Sequence, residues 1–148
     1  MPKILFLCTG NYYRSRFAEH LFNWLATKQG LDWLADSRGL ALERGANNVG
    51  PISHYAVEAL AVRLVSVPDN ERFPQQATEK DFQTANRIIA LDESEHRPLM
   101  KARFPEWMDA IDYWLVHDID KTSHQEALGQ IENQILQLIA ELELLSTK

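Results

Sequence analysis

The residues with the most chemical potential in this 148-residue chain lie in one short segment, Cys8-Thr9-Gly10-Asn11-Tyr12-Tyr13-Arg14-Ser15. Its form is a cysteine, five residues, then Arg-Ser. Cys8 is the chain's single cysteine, so it can enter neither an intramolecular disulfide nor a thiolate-rich zinc site. Such a thiol is either a small apolar group at a strand end or a nucleophile, and its neighbours favour the nucleophile. A loop wrapped at a helix N-terminus aims several backbone N–H groups at one point, and the helix dipole adds positive potential there. Arg14 carries a planar fork that grips two phosphate oxygens, which a lysine cannot do. A thiol at the bottom of that field is stabilised as the thiolate, which can attack phosphorus. Gly10 is expected to permit close backbone approach, Asn11 to tolerate a left-handed conformation, and Ser15 to donate to the thiolate. Cys8 and Arg14 are therefore the expected reacting and anion-gripping residues. Thr9, Gly10, Asn11, Tyr12, Tyr13 and Ser15 are the expected substrate-binding surround.

These residues need a frame. Ile4-Leu5-Phe6-Leu7 is a short continuous apolar run, as in a strand buried on both faces. Phe17, Leu21, Trp24 and Leu25 then recur at helical spacing until Gly30 closes the helix. Strand, glycine-containing turn and helix open a βα unit. Further strands are predicted over 31–37, 87–91 and 110–116. Residues 39–51 read as a loop and 65–77 as irregular. Helices are predicted over 53–63, from 78, over 93–104 despite Pro98, and from the Ser123/Glu126 capping box onward. Four apolar strands alternating with helices predict an α/β fold, with a four-stranded parallel sheet covered on both faces. Ligands of such folds bind beyond the carboxyl ends of the strands, where Cys8, Ser37, Asp92 and Asp118 are expected.

Composition narrows the function classes. Fifteen basic against 21 acidic residues give a net charge of −6, which argues against general nucleic-acid binding. No apolar run approaches the ~20 residues of a membrane span, and the N-terminus lacks a signal-peptide core. A cytoplasmic protein with one domain over 1–148 is expected. The five histidines show no metal-ligand spacing. Tyr12, Tyr13 and Tyr55 are candidates to stack on an aromatic substrate, with Tyr13 equally a packing residue. Trp107 and Trp114 are expected in or near the core, and Asp92 is expected to fix hydrogen bonds under the loop.

The segment Cys8-Thr-Gly-Asn-Tyr-Tyr-Arg-Ser15-Arg-Phe-Ala18-Glu19 resembles the nucleophile loop of the low-molecular-weight protein tyrosine phosphatases. Asp36-Ser37-Arg38-Gly39 resembles that family's Ser-Ala-Gly turn. Ala90-Leu91-Asp92-Glu93-Ser94 resembles its Met-Asp-x-Ser-Asn strand end, and Val116 to Asp120 falls where the family has its acid loop. The resemblance implies a three-layer sandwich and a metal-free, cofactor-free phosphoryl transfer through a phosphocysteine on Cys8. Arg14 and the loop amides would hold the phosphoryl oxygens, and Asp118 would act as general acid and then base, with Asp120 as the alternative. Implied partners are a phosphorylated protein or small phosphate ester and inorganic phosphate or another oxyanion, with no nucleic acid and no membrane. The sequence departs from the family pattern at four places. Tyr13 stands at the family's second loop cysteine, which removes its protective disulfide. Tyr12 stands at the pocket mouth, Glu95 replaces an asparagine after Ser94, and Ile119 replaces the proline after the acid.

Three other readings stay open from sequence. One is a phosphoarginine or small-ester phosphatase of the same fold. Another is a non-catalytic phosphate-binding module. The last is an arsenate reductase using an external thiol, since a disulfide relay needs cysteines this chain lacks.

Overall fold

A computed structural model describes residues 1–116 and 123–146. The expected acid loop, with His117, Asp118, Ile119 and Asp120, lies outside the described residues. In chain order the elements are β1 (Lys3–Cys8), α1 (Arg14–Lys28), β2 (Leu34–Gly39), α2 (His54–Val62), α3 (Glu79–Thr84), β3 (Arg87–Ala90), α4 (Glu93–Arg103), β4 (Asp112–Tyr113) and α5 (His124–Ser146). The strands form one parallel sheet in the order β2-β1-β3-β4. The sequence predicts a four-stranded parallel sheet, and the structure supplies its strand order.

The period-2 alternation of strand side chains divides the core. Ile4, Phe6 and Ile89 pack with Phe17, Leu21 and Phe22 of α1 and Ile131, Ile135 and Leu142 of α5. Leu5, Leu7, Ile88 and Ala90 pack on the opposite face with Phe82 of α3 and Leu99 and Met100 of α4. Residues alternate between two helical layers, so β1 and β3 are apolar on both faces. Trp114 and Trp107 are half-buried against these clusters, as expected.

Two strand boundaries differ from the sequence reading. The second strand, expected over 31–37, runs over Leu34–Gly39. Gly30 has φ +69°, and the Leu31 N–H donates to Ala26 O at 2.8 Å, so residues 31–33 complete the end of α1. Pairing then carries β2 to Gly39, which sits opposite Cys8. The fourth strand, expected over 110–116, is only Asp112–Tyr113. The Ala110 N–H closes a turn onto Trp107 O, which keeps that residue out of the ladder. Beyond Tyr113 the chain stays extended: Trp114 N–H donates to Ala90 O and Val116 N–H to Leu91 O, both at 2.8 Å. The loop after β2 contains a short 3-10 turn over Leu42–Gly45. Ser53 caps α2 through its side chain, and Thr78 with Asp81 forms a capping box on α3. Along α5 the apolar stripe Leu128, Ile131, Ile135, Leu138 and Leu142 is buried, whereas Leu145 is exposed. Among the described residues no helix is long and apolar enough to cross a membrane.

Candidate active site

The register of β1 fixes Cys8 at the carboxyl edge of the sheet, and α1 begins at Arg14, so residues 9–13 must turn through a tight arc. Asn11 makes that arc possible with φ +52°, as its residue type predicts. The first turn of α1 contains no acidic residue, and its capping residue, Tyr13, makes no side-chain cap bond. Among the described residues, the N–H groups of Gly10, Asn11 and Tyr12 donate to no backbone carbonyl. The positive end of the helix and the loop amides are therefore left for an anion.

Cys8 is buried, and its Sγ lies 2.9 Å from Ser15 Oγ. The Asn11 amide donates to that same Oγ at 2.8 Å. With one lone pair engaged by Asn11, the Ser15 hydroxyl is oriented to donate to the sulfur. Above the sulfur is a cavity of about 350 Å³. Its walls are Cys8, Thr9, Gly10, Tyr12, Tyr13 and Arg14, with Arg44, Asn48, His54 and Tyr55 across from the loop. Tyr12 is half-buried, and its hydroxyl donates to Val49 O at 2.6 Å, which ties the loop to the 45–50 segment. The ring of Tyr13 belongs to the buried core cluster, as one of its two expected roles requires, and also lines the cavity.

Arg14 is almost wholly buried. Its Nη1 donates to Val116 O at 3.1 Å and lies 3.8 Å from Asp92 Oδ2. Its Nη2 donates to Glu95 Oε2 at 2.9 Å. Asp92 also caps α4, accepting from the Ser94 N–H at 3.1 Å and the Ser94 hydroxyl at 2.7 Å. Its hydrogen bonds to Ser94 hold the start of α4, and its link to Arg14 is the 3.8 Å ion pair. Glu95 also accepts from the Thr9 hydroxyl. The His96 ring, whose Nε2 lies 3.2 Å from Oε2, together with Arg14 and Thr9 and against the effect of burial, holds the Glu95 carboxyl well below the usual carboxylate range.

Behind the loop is a polar network that the sequence alone did not disclose. Asn11 Nδ2 donates to Ser37 Oγ at 2.9 Å, and Asn11 Oδ1 accepts from Arg72 Nη1 and Gln75 N–H, both at 3.0 Å. Ser37 in turn donates to Glu19 Oε1 at 2.6 Å. Arg16 is fully buried; its Nη1 donates to Pro51 O and its Nη2 pairs with Glu71 Oε2, both at 2.9 Å. Burial acts to raise the Glu71 carboxyl, but His20 and Arg16 outweigh it and hold it low. Arg16 lay inside the motif segment without a role read for it, and Arg72 lay in the segment 65–77, which carried no motif.

The structure adds a glycine that the sequence reading did not single out, Gly39, where a neighbouring backbone approaches closely. A Cβ at Gly39 would lie 2.9 Å from Thr9 O and 3.0 Å from Asn11 N, whereas one at Gly10 would meet nothing nearer than 3.6 Å.

A buried cysteine, an arginine six residues on and a helix-capped anion loop at a parallel-sheet edge match the frame read from sequence. Residues 3–145 fit the description of one family, low molecular weight phosphotyrosine protein phosphatase. The chain belongs to that family. It is 29% identical over 108 residues to the protein-arginine-phosphatase of Bacillus subtilis, covering 73% of this chain and 67% of that protein. It is 33% identical over 98 residues to the low molecular weight phosphotyrosine protein phosphatase of Sus scrofa, covering 65% of this chain. That stretch spans 58% of the pig protein's length. The crystal structure of the low molecular weight protein tyrosine phosphatase from T. tengcongensis superposes with a TM-score of 0.78 at 27% identity. It covers 95% of this chain and 99% of that one.

As a low molecular weight phosphatase the chain places its departures at informative points. Tyr13 fills core space beside the nucleophile, Tyr12 walls the cavity, and Glu95 faces inward onto Arg14. Among the described residues no cluster of His, Cys, Asp or Glu has the makings of a metal site.

Proposed function

We propose that this chain is a cysteine-dependent phosphomonoester hydrolase acting on phosphorylated protein or a small phosphate ester. The observation that carries the proposal is Cys8 Sγ, 2.9 Å from the Ser15 hydroxyl on the floor of a cavity walled by Arg14 and the loop amides. In the first step Cys8 attacks phosphorus; the S–P bond forms as the ester P–O bond breaks. Arg14 and the N–H groups of the loop take the charge on the equatorial oxygens. Asp118 gives its proton to the leaving oxygen. In the second step it takes a proton from water, whose oxygen displaces Cys8 and releases inorganic phosphate. Neither metal nor cofactor enters the sequence of bond changes. The chain would act as one domain in the cytoplasm.

Tyr12, Tyr13 and Tyr55 line the cavity and suit a flat aromatic ester, which supports phosphotyrosine as the substrate group. The similarity to a protein-arginine-phosphatase supports phosphoarginine as a second reading.

The test is hydrolysis of para-nitrophenyl phosphate by the wild type, Cys8→Ser and Asp118→Ala, followed by phosphotyrosine and phosphoarginine peptides. Cys8→Ser is expected to abolish turnover. Asp118→Ala is expected to lose most with poor leaving groups, because only those need the proton. Wild-type protein that binds phosphate without turnover would instead be a phosphate-binding module.

A further inference from the structure

One carboxylate oxygen, Glu95 Oε2, gathers the Thr9 hydroxyl, Arg14 Nη2 at 2.9 Å and His96 Nε2 at 3.2 Å. We propose that Glu95 is a positioning residue: it fixes the plane of the Arg14 guanidinium and so sets the affinity of the loop for phosphate. The inference rests on the phosphatase reading above.

The local chain explains why Glu95 is free to do this. It is the third residue of α4, where a glutamate ordinarily folds back onto the N–H of the capping residue. Here that N–H, on Asp92, donates instead to His96 Nδ1 at 3.0 Å. His96 takes over the capping bond, and the Glu95 side chain reaches across to the nucleophile loop. Because Nδ1 accepts, the neutral ring carries its proton on Nε2, the nitrogen that faces Glu95. His96 is fully buried, so its ring is a fixed backing for the carboxylate.

On the guanidinium, Glu95 pins Nη2 from α4, and Val116 O pins Nη1 from the chain after β4. Two contacts at two nitrogens fix the plane and its rotation. A fork already aligned loses less freedom when phosphate arrives. The bond to Thr9, next to Cys8 in sequence, joins the same oxygen to the start of the loop.

The experiment measures KM and kcat for para-nitrophenyl phosphate and the dissociation constant of inorganic phosphate by calorimetry. Glu95→Ala is expected to raise KM and the phosphate constant together by about tenfold, with a much smaller change in kcat, as fits loss of one charge-assisted contact. Glu95→Gln keeps an oxygen acceptor, so it is expected to recover most of the loss, to within about threefold of wild type. If Glu95→Ala does not fold, the Gln variant decides alone: a small rise in both constants is expected. Unchanged or tighter phosphate binding in the folded variants overturns the inference, since the carboxylate would then be idle or opposing the anion. A wild type that neither binds phosphate nor turns over the ester would fail the phosphatase reading first and take this inference with it.

Discussion

Asn11 joins loop geometry to chemistry, so its removal is the sharpest test of the site's construction. The side chain makes four hydrogen bonds, to Ser15, Ser37, Arg72 and Gln75, and the residue is completely buried. At a net ~0.5–1.5 kcal/mol each, with partners left buried, their loss in Asn11→Gly is expected to cost about 3 kcal/mol. Asn11→Ala loses the same bonds and also holds a Cβ at φ +52°, which adds about 1 kcal/mol. The two variants together separate hydrogen bonding from backbone strain. Urea denaturation measures both values, and the corresponding fall in Tm is roughly 10 °C. Both variants also release the Ser15 hydroxyl from its oriented state and are expected to lower kcat for aryl phosphates. Two variants within about 0.5 kcal/mol of wild type, or an alanine more stable than the glycine, would refute the reasoning.

Three further outcomes follow from the same geometry. Gly39→Ala drives a Cβ against Thr9 O and Leu42 Cδ2, so it is expected to cost about 1–3 kcal/mol and to raise KM by displacing the loop, checked by urea denaturation and aryl phosphate kinetics. Arg16→Met strips donors from Pro51 O, Arg72 O and Glu71, and an unfolding free energy lower by about 3 kcal/mol is expected. His96 is pushed below its ordinary value of 6.5, chiefly by burial, so folding favours the neutral ring. Its stability contribution is therefore full above pH 6.5 and falls as pH drops below it; the urea midpoint should decline from pH 7 to 5, and His96→Leu should flatten that slope. The lowered carboxyls of Glu71 and Glu95 lose their contribution in a separate window below pH 4.5.

Much of the site was legible because it is local. Cys8, Arg14 and Ser15 lie within one turn of chain, and the strand before them and the helix after them follow from apolar spacing alone. The requirement for a left-handed residue at Asn11 was also readable, since few residue types tolerate it. The tight approach at Gly39 was not readable, for the complementary reason. Steric demand depends on what approaches from elsewhere, and it is β2 pairing with β1 that presses Gly39 onto Thr9. The short β4 was equally hidden, because an edge strand is ended by the turn before it rather than by its own apolar run.

The sequence by itself determined the alternation of strands and helices, the two-sided apolar character of β1 and β3, and the chemistry of the Cys8–Ser15 segment. Those follow from periodicity and from the side chains of neighbours in the chain. Only the tertiary structure decided which distant residues serve that segment. Arg72 and Gln75 reach Asn11 from more than 60 positions away, and Glu95 reaches Arg14 from 81 positions away. Such partners are fixed by how the layers and crossing loops stack at the sheet edge. The backing that His96 gives Glu95 depends on a choice at one helix cap, where the histidine rather than the glutamate satisfies the Asp92 N–H. Either side chain suits that bond by type; the fold selected between them because only the glutamate is placed to meet Arg14.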